Sequence, residues 1–341
     1  MVYSFQQKAL VLAVAGTLVA MVILLSIYPP NMSGLNEPLH IDGNSEMVVI
    51  SEHYHWPGNG TASDPFMISG LDIHSGLEYG INISNTDLHF RVTGCSIDQS
   101  DKRTLEGSYG DHFFGYAVTF NNVQNGEVSK CTIRSEHCGL KIVGSLNLSI
   151  LDNSIYGFDY GFLMQDSGYG RIMNNTIGDQ YTGMIFQGNH DLSFAGNTCQ
   201  GKYSCLKVNE STRDEFTCNS FSSTYDTTVE IVGCSDGTFQ GNTVHGDGVG
   251  MSVSGCSNES LIGNGITGPG ALFVGTSNSL NISRNVLYGT MTECLLLGHV
   301  SGSIVTNNDI QGRYDVLIAT IPTTTAFWET GSTIMCPVTT H

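Results

Sequence analysis

A short asparagine motif recurs along the chain at an almost constant interval. The motif is Asn, any residue and then an apolar residue in most copies, and the interval from Asn153 to Asn175 is repeated from Asn175 to Asn197. A fixed period of about 20–50 residues is typical of stacked repeats, in which each unit contacts only its neighbours. The sequence therefore predicts one elongated repeat domain. The eight asparagines are Asn153, Asn175, Asn197, Asn219, Asn242, Asn264, Asn285 and Asn308.

Each repeat contains two short runs in which apolar and polar residues alternate. Leu148-Ser149-Ile150 leads into the first Asn motif, and Gly139-Leu140-Lys141-Ile142 is typical of the run that follows such a motif. Period-two alternation over a few residues predicts β-strands. A leucine-rich repeat also fits the string Leu148-x-Ile150-x-x-Asn153-x-Ile155, but it would continue into a Leu-rich helical segment. This chain continues into Gly-rich strands, which favours parallel sheets stacked at about 4.8 Å per coil.

The motifs resemble those of a known superfamily. The chain resembles right-handed parallel β-helix repeat proteins of the NosD-like and pectate-lyase-like superfamily, of the archaeal or bacterial membrane-anchored surface type. The resemblance lies in the 22-residue period, the Asn motif and the segment from Gly58 through Thr61 to Asp64-Pro65-Phe66. The resemblance covers about residues 50–318. It implies an all-β chain that forms a single right-handed parallel β-helix of ten or eleven coils. It implies little about activity, because the superfamily includes lyases, glycosidases, epimerases, adhesins and surface-layer components.

An apolar segment precedes the repeats. Residues 9–28 carry no charged side chain, and twenty helical residues span about 30 Å, the thickness of a bilayer core. The segment is longer than a usual signal-peptide core, so we expect an uncleaved transmembrane anchor; the protein is secreted if the segment is cleaved. The single positive charge before the segment, Lys8, places the repeats outside the cell, on a single-pass protein of the cell membrane.

The predicted organisation has five parts. Residues 1–8 form a short cytoplasmic N-terminus, 9–28 the anchor, 29–46 a linker, 47–318 the β-helix, and 319–341 a C-terminal cap or tail. An insertion at 98–115 interrupts the repeats, because the interval from Cys95 to Cys131 is 36 residues. The run Met47–Ile50 is expected to form a first strand or a cap.

The recurring asparagines have a structural explanation. An Asn amide both donates and accepts, so identical amides in successive coils can bond along the stack, whereas Asp would place like charges one above another. The third motif residue, for example Ile155 or Ile177, is predicted to point into the core. Neither position is a candidate for catalysis.

Cysteines and sequons fit an exterior location. Cys95 with Cys131, and Cys234 with Cys256, occupy matching positions in neighbouring coils, so each pair is either a disulfide or two buried thiols. We expect Cys199 to be a reduced thiol. The candidate glycosylation sites are Asn31, Asn59, Asn82, Asn147, Asn174, Asn209, Asn258 and Asn281.

Charge narrows the choice of partners. The net charge is −18, so nucleic acid is not expected as a partner, and the membrane is contacted only through the N-terminal helix. A polysaccharide or a surface protein is the expected partner. No cofactor and no metal are expected, with calcium considered only if the protein is a lyase.

The insertion is the strongest functional candidate, because long loops on rigid scaffolds often carry function. Its candidate catalytic residues are Asp101, Arg103, Asp111 and His112. Elsewhere Asp159, Asp179 and Asp191 with His190 lie near turns, and their spacing predicts no compact acid–base group. An outward column on the second strand, which includes Leu163, Ile185, Phe273 and Leu296, is unusually apolar and indicates a cover or a partner.

Two functions remain open. The favoured prediction is a non-catalytic surface protein that binds carbohydrate or another cell-surface component. The alternative is a carbohydrate-active enzyme, a polysaccharide lyase or glycoside hydrolase, acting in a groove near 98–115.

Overall fold

The computed structural model describes residues 37–75, 78–99, 115–318 and 326–328, with backbone alone for 179, 180, 313–318 and 326–328. Three short strands make each coil, and they form three parallel sheets that we name A, B and C in the order in which the chain visits them from Asp72 onward. Each strand inside the stack pairs with the equivalent strands of the coil before it and the coil after it. The described part of the chain is therefore a parallel β-solenoid of about ten turns, as the repeat predicted.

Sheets A and B join where a strand runs through the corner between them. The strands of sheet A alone are β3 (Asp72–His74), β6 (Ser96–Gln99), β9 (Thr132–Ser135), β12 (Ser154–Gly157), β19 (Ser220–Ser223), β22 (Thr243–Gly246) and β25 (Gly265–Gly268). Those of sheet B alone are β1 (Leu39–Asp42), β4 (Tyr79–Thr86), β7 (Tyr116–Val123), β10 (Cys138–Val143), β13 (Tyr160–Gln165), β20 (Val229–Val232), β23 (Met251–Ser254) and β26 (Leu272–Gly275). The strands that span both are β15 (Thr176–Gln187), β17 (Thr198–Asn209), β28 (Val286–Gly298) and β30 (Asp309–Ile318).

Sheet C is separate and has twelve strands. They are β2 (Phe66–Ser69), β5 (Phe90–Thr93), β8 (Gly126–Ser129), β11 (Ser149–Leu151), β14 (Arg171–Met173), β16 (Ser193–Ala195), β18 (Glu215–Thr217), β21 (Thr238–Gln240), β24 (Ser260–Ile262), β27 (Asn281–Ser283), β29 (Ile304–Thr306) and β31 (Ala326–Trp328).

The core is a single stack of apolar side chains enclosed by the three sheets. Like residues lie above one another because the strands pair in register, for example Ile133 with Ile155 and Ile155 with Ile177. Buried phenylalanines pack against one another from coil to coil, for example Phe194 and Phe216 of sheet C at 5.5 Å between ring centroids. The prediction for the third motif residue is confirmed, with these members fully buried: Ile155, Ile177, Cys199, Phe221, Val244, Ile266 and Leu287.

The asparagines form a buried hydrogen-bonded ladder before sheet A. The backbone N–H of Asn175 donates to Oδ1 of Asn197 (2.8 Å), and its Nδ2 donates to the same atom (2.9 Å) and to the carbonyl of Ile150 (2.8 Å). The Oδ1 of Asn175 in turn accepts from Asn153 (3.0 Å from each nitrogen). Each amide thus links three coils. An Asp could not make the Nδ2 bonds, which accounts for Asn at this position.

A second polar ladder lies at the turn from sheet B to sheet C, and the motif analysis missed it. The backbone N–H of Ser145 donates to the hydroxyl of Ser167 (3.0 Å), and that of Ser167 donates to Oδ1 of Asn189 (3.0 Å). Its members recur once per repeat, a regularity that is visible in the sequence. The buried members are Ser145, Ser167, Asn189, Ser211, Cys234, Cys256 and Ser277.

The four candidate disulfide cysteines are free, buried thiols in the structure, so of the two alternatives for each pair the structure has the buried thiols and not the disulfide. Cys95 and Cys131 stand at the start of the asparagine ladder, where the N–H of Cys95 donates to Sγ of Cys131 (3.4 Å). Cys234 and Cys256 belong to the second ladder. Each thiol donates to backbone carbonyls, as the Cys256 thiol does to that of Ser254 (3.3 Å), and so takes the place of a ladder hydroxyl or amide.

Among the described residues, a disulfide joins Cys199 to Cys205, with Cα atoms 6.0 Å apart. The expectation of a reduced Cys199 is therefore wrong. The bond closes the corner between sheets A and B within β17, a pairing inside one coil that a comparison of neighbouring coils does not consider.

The N-terminal end also differs from the prediction. Strand β1 lies inside the predicted linker 29–46 and pairs with β4. Of the two alternatives for Met47–Ile50, a strand or a cap, the strand is wrong, because these residues belong to a helix, α1 (Asn44–His53). Met47 is fully buried in the core and Ile50 packs against it. Residues 9–28 lie outside the described residues. In the ranges that are described, no helix has the length and apolar character needed to cross a membrane.

Candidate ligand-binding corner

The corner where the chain passes from sheet A to sheet B carries an exposed row of aromatic rings. Phe158, Tyr181, Tyr203 and Tyr225 occupy this corner in four successive coils. Their ring centroids are 5.0, 5.3 and 5.6 Å apart in that order. Their exposed fractions are 55%, 37%, 42% and 62%. We name these four residues the aromatic ridge.

Backbone hydrogen bonds between coils hold the ridge in register. The N–H of Tyr181 donates to the carbonyl of Phe158 (3.0 Å), and that of Tyr225 donates to the carbonyl of Lys202 (3.0 Å). The Cys199–Cys205 disulfide closes the short segment that carries Tyr203. Four rings are therefore presented at fixed spacing on a rigid edge, which is what a preorganised binding surface requires.

A second row of rings lies at the adjoining edge of sheet B. His137 sits between Tyr116 and Tyr160, with centroids 5.5 and 5.6 Å away. We name Tyr116, His137 and Tyr160 the Tyr–His–Tyr row. The Lys141 ammonium lies 4.2 Å from the centre of the Tyr116 ring, a cation–π contact. The row begins directly after the insertion, since Gly115, the last residue of the insertion, precedes Tyr116. The Gly115 carbonyl accepts a hydrogen bond from the Ser135 hydroxyl (2.7 Å).

The histidine of this row is paired with a carboxylate. Nδ1 of His137 is 2.6 Å from Oδ2 of Asp159, the residue between Phe158 and Tyr160. The His137 side chain is 13% exposed and that of Asp159 is 41% exposed. A carboxylate at Nδ1 fixes the ring orientation and its tautomer. A glycosidase of the usual kind needs two carboxyl groups across the scissile bond, and Asp159 is a carboxyl group in contact with His137.

Two buried carboxyl groups form a separate cluster beneath sheet C. Asp214 and Glu259 are 4% and 5% exposed and line a cavity of about 10 Å³, room for about one water molecule. Oδ1 of Asp214 accepts from the N–H of Leu192 (2.9 Å), while Oδ2 has no partner. Oε1 of Glu259 accepts from the N–H of Gly237 (3.2 Å). Burial raises the pKa of Asp214 to about 7 and that of Glu259 to about 7.

The other acidic candidates are spread around the solenoid. His190 and Asp191 lie at the turn from sheet B to sheet C, where Arg213 donates two hydrogen bonds of 2.8 Å to the Asp191 carboxylate. These bonds, with that of His190 (3.0 Å), lower the pKa of Asp191 to about 2. Asp159 is at the opposite edge of sheet B, and the side chain of Asp179 is outside the described atoms. No compact acid–base group forms from those whose side chains are described.

The insertion candidates Asp101, Arg103, Asp111 and His112 lie outside the described residues, as does Asn31. The other sequon asparagines are on the surface. Asn59, Asn147, Asn174 and Asn258 are exposed, and Asn82, Asn209 and Asn281 are half-buried.

The outward column of sheet B is half-buried along its length. Leu163, Ile185, Phe273 and Leu296 alternate with fully buried neighbours, so their predicted facing holds, and none is among the strongly exposed apolar side chains. Lys207 and Glu230 in the same column form an ion pair of 3.2 Å. The sequence predicted exposed apolar side chains on the outward face of sheet B. The structure has exposed aromatic side chains at the corner between sheets A and B, where the four rings of the aromatic ridge recur once per coil.

Solved structures with this architecture support the fold class. The surface adhesin PfbA of Streptococcus pneumoniae matches at 11% identity and a TM-score of 0.56, over 74% of this chain and 88% of PfbA. The Dettilon tailspike protein matches at 13% identity and 0.53, over 74% and 60%. The mannuronan C-5 epimerase AlgE4 A-module of Azotobacter vinelandii matches at 15% identity and 0.46, over 77% and 81%. The first two likenesses establish the fold alone: the chain is a right-handed parallel β-helix protein.

The family follows from the sequence match. A family model described as periplasmic copper-binding protein (NosD) matches residues 58–239, more than half of the chain, and the chain belongs to that family. No curated protein matches it in sequence.

The described residues do not fit a copper site. Copper is held by Cys, Met and His side chains in sets of two to four. Within the described ranges, no group of three or more His, Cys, Asp or Glu side chains could hold a metal ion. The buried thiol pairs are directed at backbone carbonyls and belong to the two ladders. We derive no role for copper from these residues.

Proposed function

We propose that this chain is a non-catalytic β-helix protein that binds carbohydrate through the aromatic ridge outside the cytoplasm. The observation that carries the proposal is the exposure of four rings in four successive coils. Exposed apolar surface that recurs in register on a soluble scaffold is typical of binding sites. The apolar C–H face of a sugar ring packs well against an aromatic ring, while its hydroxyl groups remain available to neighbouring polar side chains.

Neighbouring side chains supply the polar contacts. Asp159 and Lys202 adjoin ridge residues in sequence, and the Lys202 ammonium lies 5.2 Å from the centre of the Tyr181 ring. Asp226 is exposed beside Tyr225. Carboxylates accept hydrogen bonds from sugar hydroxyls and ammonium groups donate to them. A net charge of −18 disfavours nucleic acid as an alternative ligand.

The N-terminal segment supports the location. Residues 9–28 are long and apolar enough to act as a single-pass anchor, which displays the β-helix at the cell surface. The family description, a periplasmic protein, agrees with a site of action outside the cytoplasm.

A glycan array probed with the full chain in detergent tests the proposal. We expect binding to at least one polysaccharide, with loss of signal for the Tyr203→Ala and Tyr225→Ala variants. The matched control is Tyr288→Ala, because Tyr288 is 48% exposed on sheet A and outside the ridge. Absence of binding to any glycan, or equal loss in the control, contradicts the proposal. Capture of a surface protein instead of a glycan also contradicts it.

A second candidate function rests on the His137–Asp159 contact of 2.6 Å beside the ridge. If the chain is a carbohydrate-active enzyme, incubation with the bound polysaccharide releases new reducing ends or unsaturated products. His137→Ala and Asp159→Asn then abolish the release while binding remains. Intact polysaccharide after long incubation with the wild-type chain favours the binding function.

A further inference from the structure

Among the described sequons, one lies on a loop that does not belong to the repeated coils. It is Asn59-Gly60-Thr61, in the segment that connects helix α1 to strand β2. Asn59 and Thr61 are exposed, and so are the three residues that follow them, 62–64. An Asn-x-Ser/Thr sequence on a surface loop is the usual acceptor of an N-linked glycan in a protein that acts outside the cytoplasm.

The loop holds Asn59 in a defined turn. The N–H of Asn59 donates to the carbonyl of Asp64 (2.9 Å), and the N–H of Asp64 donates to the carbonyl of Thr61 (3.2 Å). Oδ1 of Asn59 accepts from both the N–H (3.2 Å) and the hydroxyl (2.7 Å) of Thr61. This is an Asx-turn, in which the Asn side chain bonds to the backbone two residues further on. Both side-chain contacts use Oδ1, which keeps its place when Nδ2 is modified.

The middle residue of this sequon has no side chain to bury. Gly60 lies against the Phe66 ring, where an added Cβ would be 2.7 Å from a ring carbon. Its carbonyl accepts from the N–H of His89 (2.9 Å), which fixes the loop to the first coil. The amide of Asn59 and the hydroxyl of Thr61 are therefore presented to a modifying enzyme without any opening of the core.

In the other described sequons, the second or the third residue is buried in the solenoid. At Asn209 it is the third residue, Ser211, whose hydroxyl accepts from the N–H of Asn189 (3.2 Å) in the second ladder. At the other five it is the second residue. These buried second residues are Ile83, Leu148, Asn175, Glu259 and Ile282. An enzyme can bind such a sequon only after strands of the stack have separated, and the opening of core strands is the rarest fluctuation of a folded protein.

Two of these asparagines also use Nδ2 to join neighbouring coils. Nδ2 of Asn147 donates to Oδ1 of Asn125 (2.7 Å), and Nδ2 of Asn258 donates to Oδ1 of Asp236 (2.7 Å). A sugar on either nitrogen would compete with these contacts. Exposure of the asparagine alone therefore does not make a sequon of the solenoid accessible.

We propose that Asn59 is the N-glycosylation site of the folded solenoid. The donor is a lipid-linked oligosaccharide, and an oligosaccharyltransferase carries out the transfer. Nδ2 forms a bond to C1 of the first sugar, the bond from C1 to the lipid phosphate breaks, the lipid phosphate leaves, and Nδ2 loses one proton. The inference rests on the proposed location outside the cytoplasm and is independent of carbohydrate binding by the aromatic ridge.

Glycopeptide mass spectrometry of the full chain isolated from its own cells tests the inference. The sequon Asn174-Asn175-Thr176 is the matched control, because it also has an exposed asparagine and a threonine, but its second residue is buried. We expect a glycan on Asn59 with an occupancy at least about tenfold higher than that of Asn174. An unmodified Asn59, or equal occupancy at the two sites, would overturn the inference.

A second experiment uses the purified, folded full chain in detergent with a single-subunit oligosaccharyltransferase and a lipid-linked oligosaccharide. We expect one glycan per chain, lost in Thr61→Ala and restored in Thr61→Ser, which keeps the hydroxyl. Asn258→Gln should still accept one glycan. Transfer to Thr61→Ala, or several glycans on the folded wild type, would contradict the proposal. Circular dichroism melting checks that each variant is folded, which is expected because the substituted residues are exposed.

The outcomes separate this inference from the proposed function. An unmodified Asn59 together with binding on the glycan array refutes the glycosylation site and supports carbohydrate binding. A glycosylated Asn59 in a chain that binds no glycan confirms the site and refutes the binding function.

Discussion

The buried carboxyl groups Asp214 and Glu259 should make the stability of the solenoid fall as the pH rises toward 8. Burial raises both pKa values to about 7, from ordinary values of 3.8 and 4.5. The groups are neutral in the folded protein at acidic pH and are ionised in the unfolded chain from about pH 4 to 5 upward. Their contribution to stability is therefore complete below about pH 4 and is lost progressively as the pH rises through 7.

The size of the effect follows from the two pKa differences. At about 1.4 kcal/mol for each tenfold change in proton affinity, Asp214 corresponds to about 4 kcal/mol and Glu259 to about 3 kcal/mol. The two are not additive, because each carboxylate raises the energy of the other. Nearby Asp191 and Asp236 also disfavour ionisation, while His190 favours it. A loss of several kcal/mol is a large part of the stability of a typical domain.

The Asp214→Asn variant isolates the effect. Its Oδ1 can still accept from the N–H of Leu192, and the amide cannot ionise. If the two are equally stable below pH 4, we expect the variant to exceed the wild type by about 2 kcal/mol at pH 5 and by about 4 kcal/mol at pH 8. Glu215→Gln, at an exposed carboxylate in the same coil, is the matched control and should change neither value.

Thermal melting measures the stability of the whole solenoid, and hydrogen exchange measures the stability around single amides. Protection of the Leu192 and Gly237 amides, which donate to the two carboxyl groups, should fall between pH 5 and pH 8 in the wild type after correction for intrinsic exchange. A flat stability profile of the wild type over this range, or an Asp214→Asn variant with an equally steep profile, would refute the reasoning.

Two further predictions concern the ladder and the disulfide. Asn197→Ala removes the acceptor of the buried Asn175 N–H and should lower the free energy of unfolding by about 2–4 kcal/mol. The control Asn278→Ala, at an exposed asparagine with ordinary backbone geometry, should cost less than about 0.5 kcal/mol. Denaturant titration measures both, and equal costs contradict the ladder. Cys205→Ser opens the disulfide within β17 and should lower the free energy of unfolding by about 2 kcal/mol. It should also weaken saccharide binding, because Tyr203 lies on the segment that the disulfide closes. An unchanged melting temperature and an unchanged affinity would contradict this prediction.

The fold could be predicted from the sequence because the repeat period by itself gives the number of residues in one coil. The equivalence of Asn153 with Asn175 fixes which residues stack, and the alternation around them fixes which point inward. The register was therefore correct along the central coils. Helix α1 was missed because four apolar residues at Met47–Ile50 fit a strand as well as a helix turn, and packing on the open end of the core decides between them.

The candidate site was harder to predict because its residues look ordinary one at a time. Tyr181 and Tyr203 become a binding surface only when the corner places them in register, although their separation by one full repeat was a usable signal. Asp214 and Glu259 share a column with Leu192 and Leu280, which predicts burial, yet acidic residues in a repeat are usually read as surface. The Cys199–Cys205 bond depends on the path of one corner and had no periodic signal.

The most direct test of the central claim is affinity electrophoresis of the full chain in gels that contain a neutral linear polysaccharide. We expect the wild type and Tyr288→Ala to be retarded, and the triple variant Tyr181→Ala, Tyr203→Ala, Tyr225→Ala to migrate as in a gel without polysaccharide. Retardation of the triple variant equal to that of the wild type would contradict a binding site on the aromatic ridge.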